Sequence, residues 1–158
     1  MERLPVRVLP SHRNISTFPT TVLGLDFGTR RIGLAVGDSA LGIAHPLGVI
    51  EVRSDSQRWD RLGQLVSEWK PGFWVVGLPV REDGAEHELA GAVRAFAGEL
   101  ESRFGLPVRL IDERFTSTEA AERLREGGVT GRSQKRHLDQ LAATGILQSY
   151  FDRDHADP

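Results

Sequence analysis

Three apolar runs in tandem near the start of the chain, followed by a regular alternation of helix-like and strand-like segments, restrict the fold more than any other feature. Residues 22–27 (VLGLDF), 31–37 (RIGLAVG) and 47–52 (LGVIEV) read as strands. Across the tight Gly28-Thr29-Arg30 turn the first two are close enough in sequence to form a hairpin. Ser54 or Asp55 then caps a helix carrying Trp59, Leu62, Leu65, Val66 and Trp69 at helical spacing, stopped by Pro71-Gly72. An apolar strand at 73–78 (FWVVGL) ends at Pro79. A second helix places Leu89, Val93, Phe96, Leu100 and Phe104 inward and stops at Gly105-Leu106-Pro107. Val108 to Asp112 forms the fifth strand. A third helix is predicted from Thr116, with Glu119 completing a capping box, to Gly127-Gly128, and a last one from Gln134 to about Asp152. Hairpin strands first and helix-linked strands after them predict an α/β fold, a five-stranded mixed sheet flanked by helices.

The last helix contains the residue hardest to explain by folding alone. At roughly 100° per residue, Leu138, Leu141, Ala142, Ala143, Ile146, Leu147, Tyr150 and Phe151 sweep one apolar arc, and Asp139 falls near its centre. A carboxylate in such a place is costly unless a metal ion, a basic partner or several donors compensate its lost hydration. Asp26 and Glu113 end predicted strands in similarly apolar settings. Three carboxylates drawn to one place suggest a divalent-cation site, and the oxygen donors favour Mg²⁺ or Mn²⁺ over Zn²⁺.

Each motif also has a plainer reading. Asp26-Phe27-Gly28 could be only a hairpin turn, with Asp26 accepting local backbone hydrogen bonds. Asp112 and Glu113 are consecutive and so face opposite ways on a strand, which leaves at most one for a shared site. Asp139 has Lys135 four residues earlier as an ion-pair partner. The histidines show no ligand spacing, and Trp59, Trp69 and Trp74 are expected in the core.

At 158 residues the chain is expected to form one domain over 21–152, with a flexible N-terminal extension at 1–20 and a short tail at 153–158. The extension has no signal-peptide core. No apolar run approaches the roughly 20 residues needed to span a bilayer. The chain has no cysteine, which excludes disulfides and thiolate metal sites and fits a reducing, cytoplasmic setting. The net charge of −2 excludes a uniformly basic surface, so local runs carry the information. Arg132, Lys135 and Arg136 lie together without an acid, and Arg30–Arg31 form a second pair.

The segments LGLDFGTRRIGLAVGD, VVGLPVREDG, IDERFTSTEAAERL and KRHLDQLAATGILQSYF, in this order and spacing, resemble the YqgF (RuvX) family of bacterial Holliday-junction-resolvase-like proteins, also described as nucleases of the small-subunit ribosomal RNA precursor. The resemblance covers roughly residues 21–152 and implies a ribonuclease H-like fold. It assigns Asp26, Glu113 and Asp139 to the family's acidic triad. The function it implies is metal-dependent phosphodiester hydrolysis in structured nucleic acid, RNA ahead of DNA, in processing of the 5′ end of pre-16S rRNA. One or two Mg²⁺ or Mn²⁺ ions would be held by Asp26, Glu113 and Asp139. Arg30, Arg31, Arg114, Thr116, Lys135 and Arg136 are the expected nucleic-acid contacts, with ribosome-assembly or transcription factors and a second copy of the chain as further partners. The competing readings are a resolvase of branched DNA, a non-catalytic RNA-binding or transcription-associated factor, and an actin-like ATP-binding module. The last would need a second domain that 158 residues cannot supply.

Overall fold

The structure, a computed structural model, describes residues 20–80, 83, 88–112 and 131–156. The chain order is β1 (Thr21–Phe27), β2 (Arg31–Asp38), β3 (Ile43–Glu51), α1 (Asp55–Trp69), β4 (Phe73–Leu78), α2 (Ala90–Phe104), β5 (Val108–Asp112) and α3 (Gly131–Ala156). The sheet runs β3-β2-β1-β4-β5. The first three strands pair antiparallel, whereas β4 and β5 add on parallel to β1. The predicted mixed sheet of five strands is therefore present. The helix expected at 116–128 lies outside the described residues.

Alternation along the strands sorts the core into two layers. Leu23, Leu25, Ile32, Leu34, Trp74 and Val76 face α1 and α2, meeting Trp59, Leu62, Val93, Phe96 and Leu100. Val22, Ala35, Phe73, Val75 and Ile111 face the other way and pack on Ala143, Ile146, Leu147 and Phe151 of α3. Each fully buried aliphatic side chain contributes about 1.5–3 kcal/mol, so both faces are strongly held.

Helix ends follow local chemistry. Ser54 caps α1 by accepting from the Gln57 N–H, and Lys70 ends it in the left-handed conformation, φ 46°, with Pro71 unable to continue. Gly105, φ 68°, ends α2 in the same way.

Three expectations need correcting. The third strand begins at Ile43, four residues before the expected start at 47, because β3 is an edge strand, where Pro46 is tolerated, and a register shift opposite Leu34/Ala35 absorbs the irregularity. Trp69 is 39% exposed, since the last residue of α1 already lies past the core. The last helix is longer at both ends than 134–152, running Gly131–Ala156. Among the described residues no helix is long and apolar enough to cross a membrane.

Candidate functional site

The contact that builds the site is between two backbones. A Cβ placed on Gly33 would lie 2.0 Å from the carbonyl oxygen of Asp139, so only glycine lets α3 come this close to β2. In the hairpin register Gly33 is the partner of Asp26. Alternation places Asp26 on the α3 face as well: Val22 packs on α3, and a Cβ on Gly24 would meet Leu147 Cβ at 2.8 Å. Asp26 and Asp139 are thus brought to one face of the sheet, at the carboxyl end of β1. Gly28 serves the same end. A Cβ there would sit 2.6 Å from the Arg31 carbonyl oxygen, so the turn can fold tightly enough to return the chain as β2.

Asp139 is angularly in line with the apolar arc but lies at its end, one turn before the buried Ala142 and Ala143. Its side chain is 23% exposed and its Oδ2 accepts a 2.6 Å hydrogen bond from Arg31 Nε. The partner is therefore a cation from β2, 108 residues away, rather than the Lys135 one turn earlier. Arg31 falls on the α3 face because it is two residues from Gly33.

Further cations gather around the same corner. Arg136 Nη1 donates to Glu51 Oε2 at 2.6 Å, tying the first half of α3 to the end of β3. Glu51 pairs with Arg31 in the β2–β3 register. Arg30 turns outward, its carbonyl accepting from the Val52 N–H at 2.8 Å. Lys135 is exposed on α3. Of the residues singled out in the sequence, Asp26, Asp139, Arg30, Arg31 and Arg136 are gathered at this end of the sheet. Glu113, Arg114 and Thr116 lie outside the described residues. β5, parallel to β4, ends at Asp112 opposite Leu78. Asp112 alternates with Ile111, which packs on the α3 side, and so belongs to the other face.

Glu51 and Arg53 were missed in the sequence. The available signal was their place at the carboxyl end of a strand next to the Arg30–Arg31 turn, which the hairpin topology alone makes adjacent. Among the described residues no three His, Asp or Glu side chains form a cluster able to hold a metal.

A sheet of this order, with the last helix laid across one face and carboxylates at the carboxyl end of the central strand, is that of the ribonuclease H-like proteins of the resolvase kind. Thermus thermophilus RuvC in complex with a Holliday junction substrate matches with a TM-score of 0.54 at 19% identity, over 87% of this chain and 97% of that one. The yeast mitochondrial Holliday junction resolvase Ydc2 matches at 0.52 and 14% identity, over 88% and 82%. A family model described as RuvX, Holliday junction resolvase, covers residues 20–153, and the chain belongs to that family. A relative from Methylobacillus flagellatus is 52% identical over 131 residues, 83% of this chain and 90% of its own length. One from Chromobacterium violaceum is 51% identical over 132 residues, 83% and 96%. Both are provisionally named pre-16S rRNA nucleases.

Proposed function

We propose that this chain is a divalent-metal-dependent nuclease that hydrolyses phosphodiester bonds in structured RNA, acting on the 5′ end of the pre-16S rRNA in the cytoplasm. The observation that carries the reading is the convergence of Asp26 and Asp139, from the end of β1 and from the last helix, on one face beside Arg31. The names given to the half-identical relatives supply the RNA.

The donor chemistry fits a hard cation. Two carboxylates sit on neighbouring elements, and Asp139 already holds a cationic partner, the Arg31 guanidinium. Asp26, Asp139 and Glu113 would hold Mg²⁺ or Mn²⁺, which supplies an activated water and charge neutralisation at the phosphate when bound. The rest is the work of the chain. Arg31, released from Asp139, carries its fork of donors to a phosphate oxygen on the same face. Arg30, Lys135 and Arg136 grip the backbone on either side, contacts that set position without reading sequence. Arg114 and Thr116 belong to the same set on sequence grounds.

A second reading, cleavage of branched DNA, is favoured by the description of the matching family and by the junction-bound RuvC neighbour. The test is incubation of the purified chain with Mn²⁺ and either labelled pre-16S leader RNA or a four-way DNA junction. Cleavage of the RNA, abolished by Asp26→Asn, is expected. Cleavage of the junction alone would replace this reading with the second. Binding without cleavage of either would make the chain a non-catalytic RNA-binding factor.

A further inference from the structure

Beyond the carboxylates, at the outer end of the hairpin, Arg30, Arg31, Glu51, Val52 and Arg53 line a hollow of about 370 Å³. We propose that this hollow seats a backbone phosphate of the substrate strand on one flank of the cleavage point, with Arg53 as a binding residue. The proposal rests on the nuclease reading for the meaning of that flank.

Charge is the first argument. Three guanidiniums (Arg30, Arg31 and Arg53) and one carboxylate (Glu51) line it, an excess of two positive charges. Glu51 is already matched by Arg136, and Arg31 by Asp139. Arg30 and Arg53 are both exposed, and among the described residues neither is ion-paired. They are the two charges left for an incoming anion. Preorganisation is the second. The Val52 N–H bonds the Arg30 carbonyl at 2.8 Å, and the Arg53 N–H bonds Gln57 Oε1 at 3.0 Å, so the backbones carrying the two cations are fixed to each other and to α1. Arg53 also directly precedes the Ser54 cap, where the partial positive charge of a 15-residue helix adds to the field. Position is the third. Arg31 both lines the hollow and bonds Asp139 at 2.6 Å, and the rest of the lining comes from Arg30 and from the end of β3 and the residues after it, so the hollow adjoins Asp139 from the β3 side. A strand crossing the sheet end would meet it on a single flank.

The test uses the full chain carrying Asp26→Asn, RNA that spans the cleavage position mapped with the wild type, and two shortened RNAs, each lacking one flank. Affinity is measured across a salt series. Arg53→Ala should weaken the spanning RNA about fivefold and flatten the log–log salt slope by about 0.7, one phosphate's worth. Arg53→Lys should restore the slope, and Arg61→Ala, on α1 and bonded to Gln64, should change nothing. The Arg53 effect should vanish for only one of the shortened RNAs. An unchanged slope in Arg53→Ala, or equal loss on both shortened RNAs, overturns the proposal. If the wild type cuts no RNA, the salt series is run on the intact leader RNA, and a slope flattened there by Arg53→Ala keeps the phosphate site while the nuclease reading falls.

Discussion

If Asp139 holds a metal as proposed, its ion pair with Arg31 sets two cations in competition. The guanidinium sits on Oδ2 at 2.6 Å, and a cation bound at the same carboxylate would compete with it for negative charge. Both groups are partly exposed, which limits the pair to at most about 1 kcal/mol. Arg31→Gln should therefore tighten Mn²⁺ binding by up to about fivefold in calorimetric titration while weakening RNA binding. Changes of the same sign in both measurements would separate Arg31 from the carboxylate site. Asp26→Asn and Asp139→Asn should behave differently from this. Each keeps shape but loses charge, so cleavage should fall by at least about a hundredfold with RNA binding nearly intact, as read by cleavage and filter binding of one labelled RNA. Robust cleavage by the double amide variant would assign the activity to something else.

At the scale of elements, the packing of α3 against β2 turns on a missing side chain. Gly33→Ala forces a Cβ against the Asp139 carbonyl, backbone that cannot swing aside, and should cost about 2–3 kcal/mol while shifting Asp139. Gly98→Ala is the contrast. An added Cβ there meets nothing within 4 Å, so in an exposed helical position it should stabilise by about 0.5–1 kcal/mol. Denaturant unfolding of both variants checks the pair, and equal effects would show that the close approach at Gly33 is unimportant. How far the elements could be read from the sequence follows the same logic. β4 and β5 matched their predicted spans because short apolar runs bounded by Gly and Pro leave little choice. β3 was cut short because Pro46 reads as a stop unless the strand is known to be an edge. Asp139 stood out because its period is local, whereas its bond to Arg31 was hidden because that depends on a register between distant segments. Arg53 was invisible for the same reason: its neighbours are set by the hairpin, not by the sequence around it.

For the molecule as a whole, cation binding and stability should be linked. A cation held by the proposed carboxylates would bind only the folded chain and stabilise it by mass action, about 2.7 kcal/mol at a hundredfold excess over Kd. The melting temperature should rise with Mn²⁺ or Mg²⁺ in the wild type and much less in Asp139→Asn. An equal rise in both would place the cation elsewhere. The fold carries this linkage because the site is shared between two ends of the chain: β1 supplies one acid and α3 the other.

That division also has a consequence for the order of events during synthesis. Chains fold from the N-terminus as they emerge, and the hairpin, α1, β4, α2 and β5 are all made before the helix that carries Asp139. Among the described residues, the cover of the second face, over Val22, Phe73 and Val75, comes from that helix. Arg30, Arg31 and Arg53 precede α3, whereas Arg136 arrives on it together with Asp139. On the proposed reading, the phosphate contacts of the hairpin would be made first and the acidic site completed only when α3 closes over Gly33.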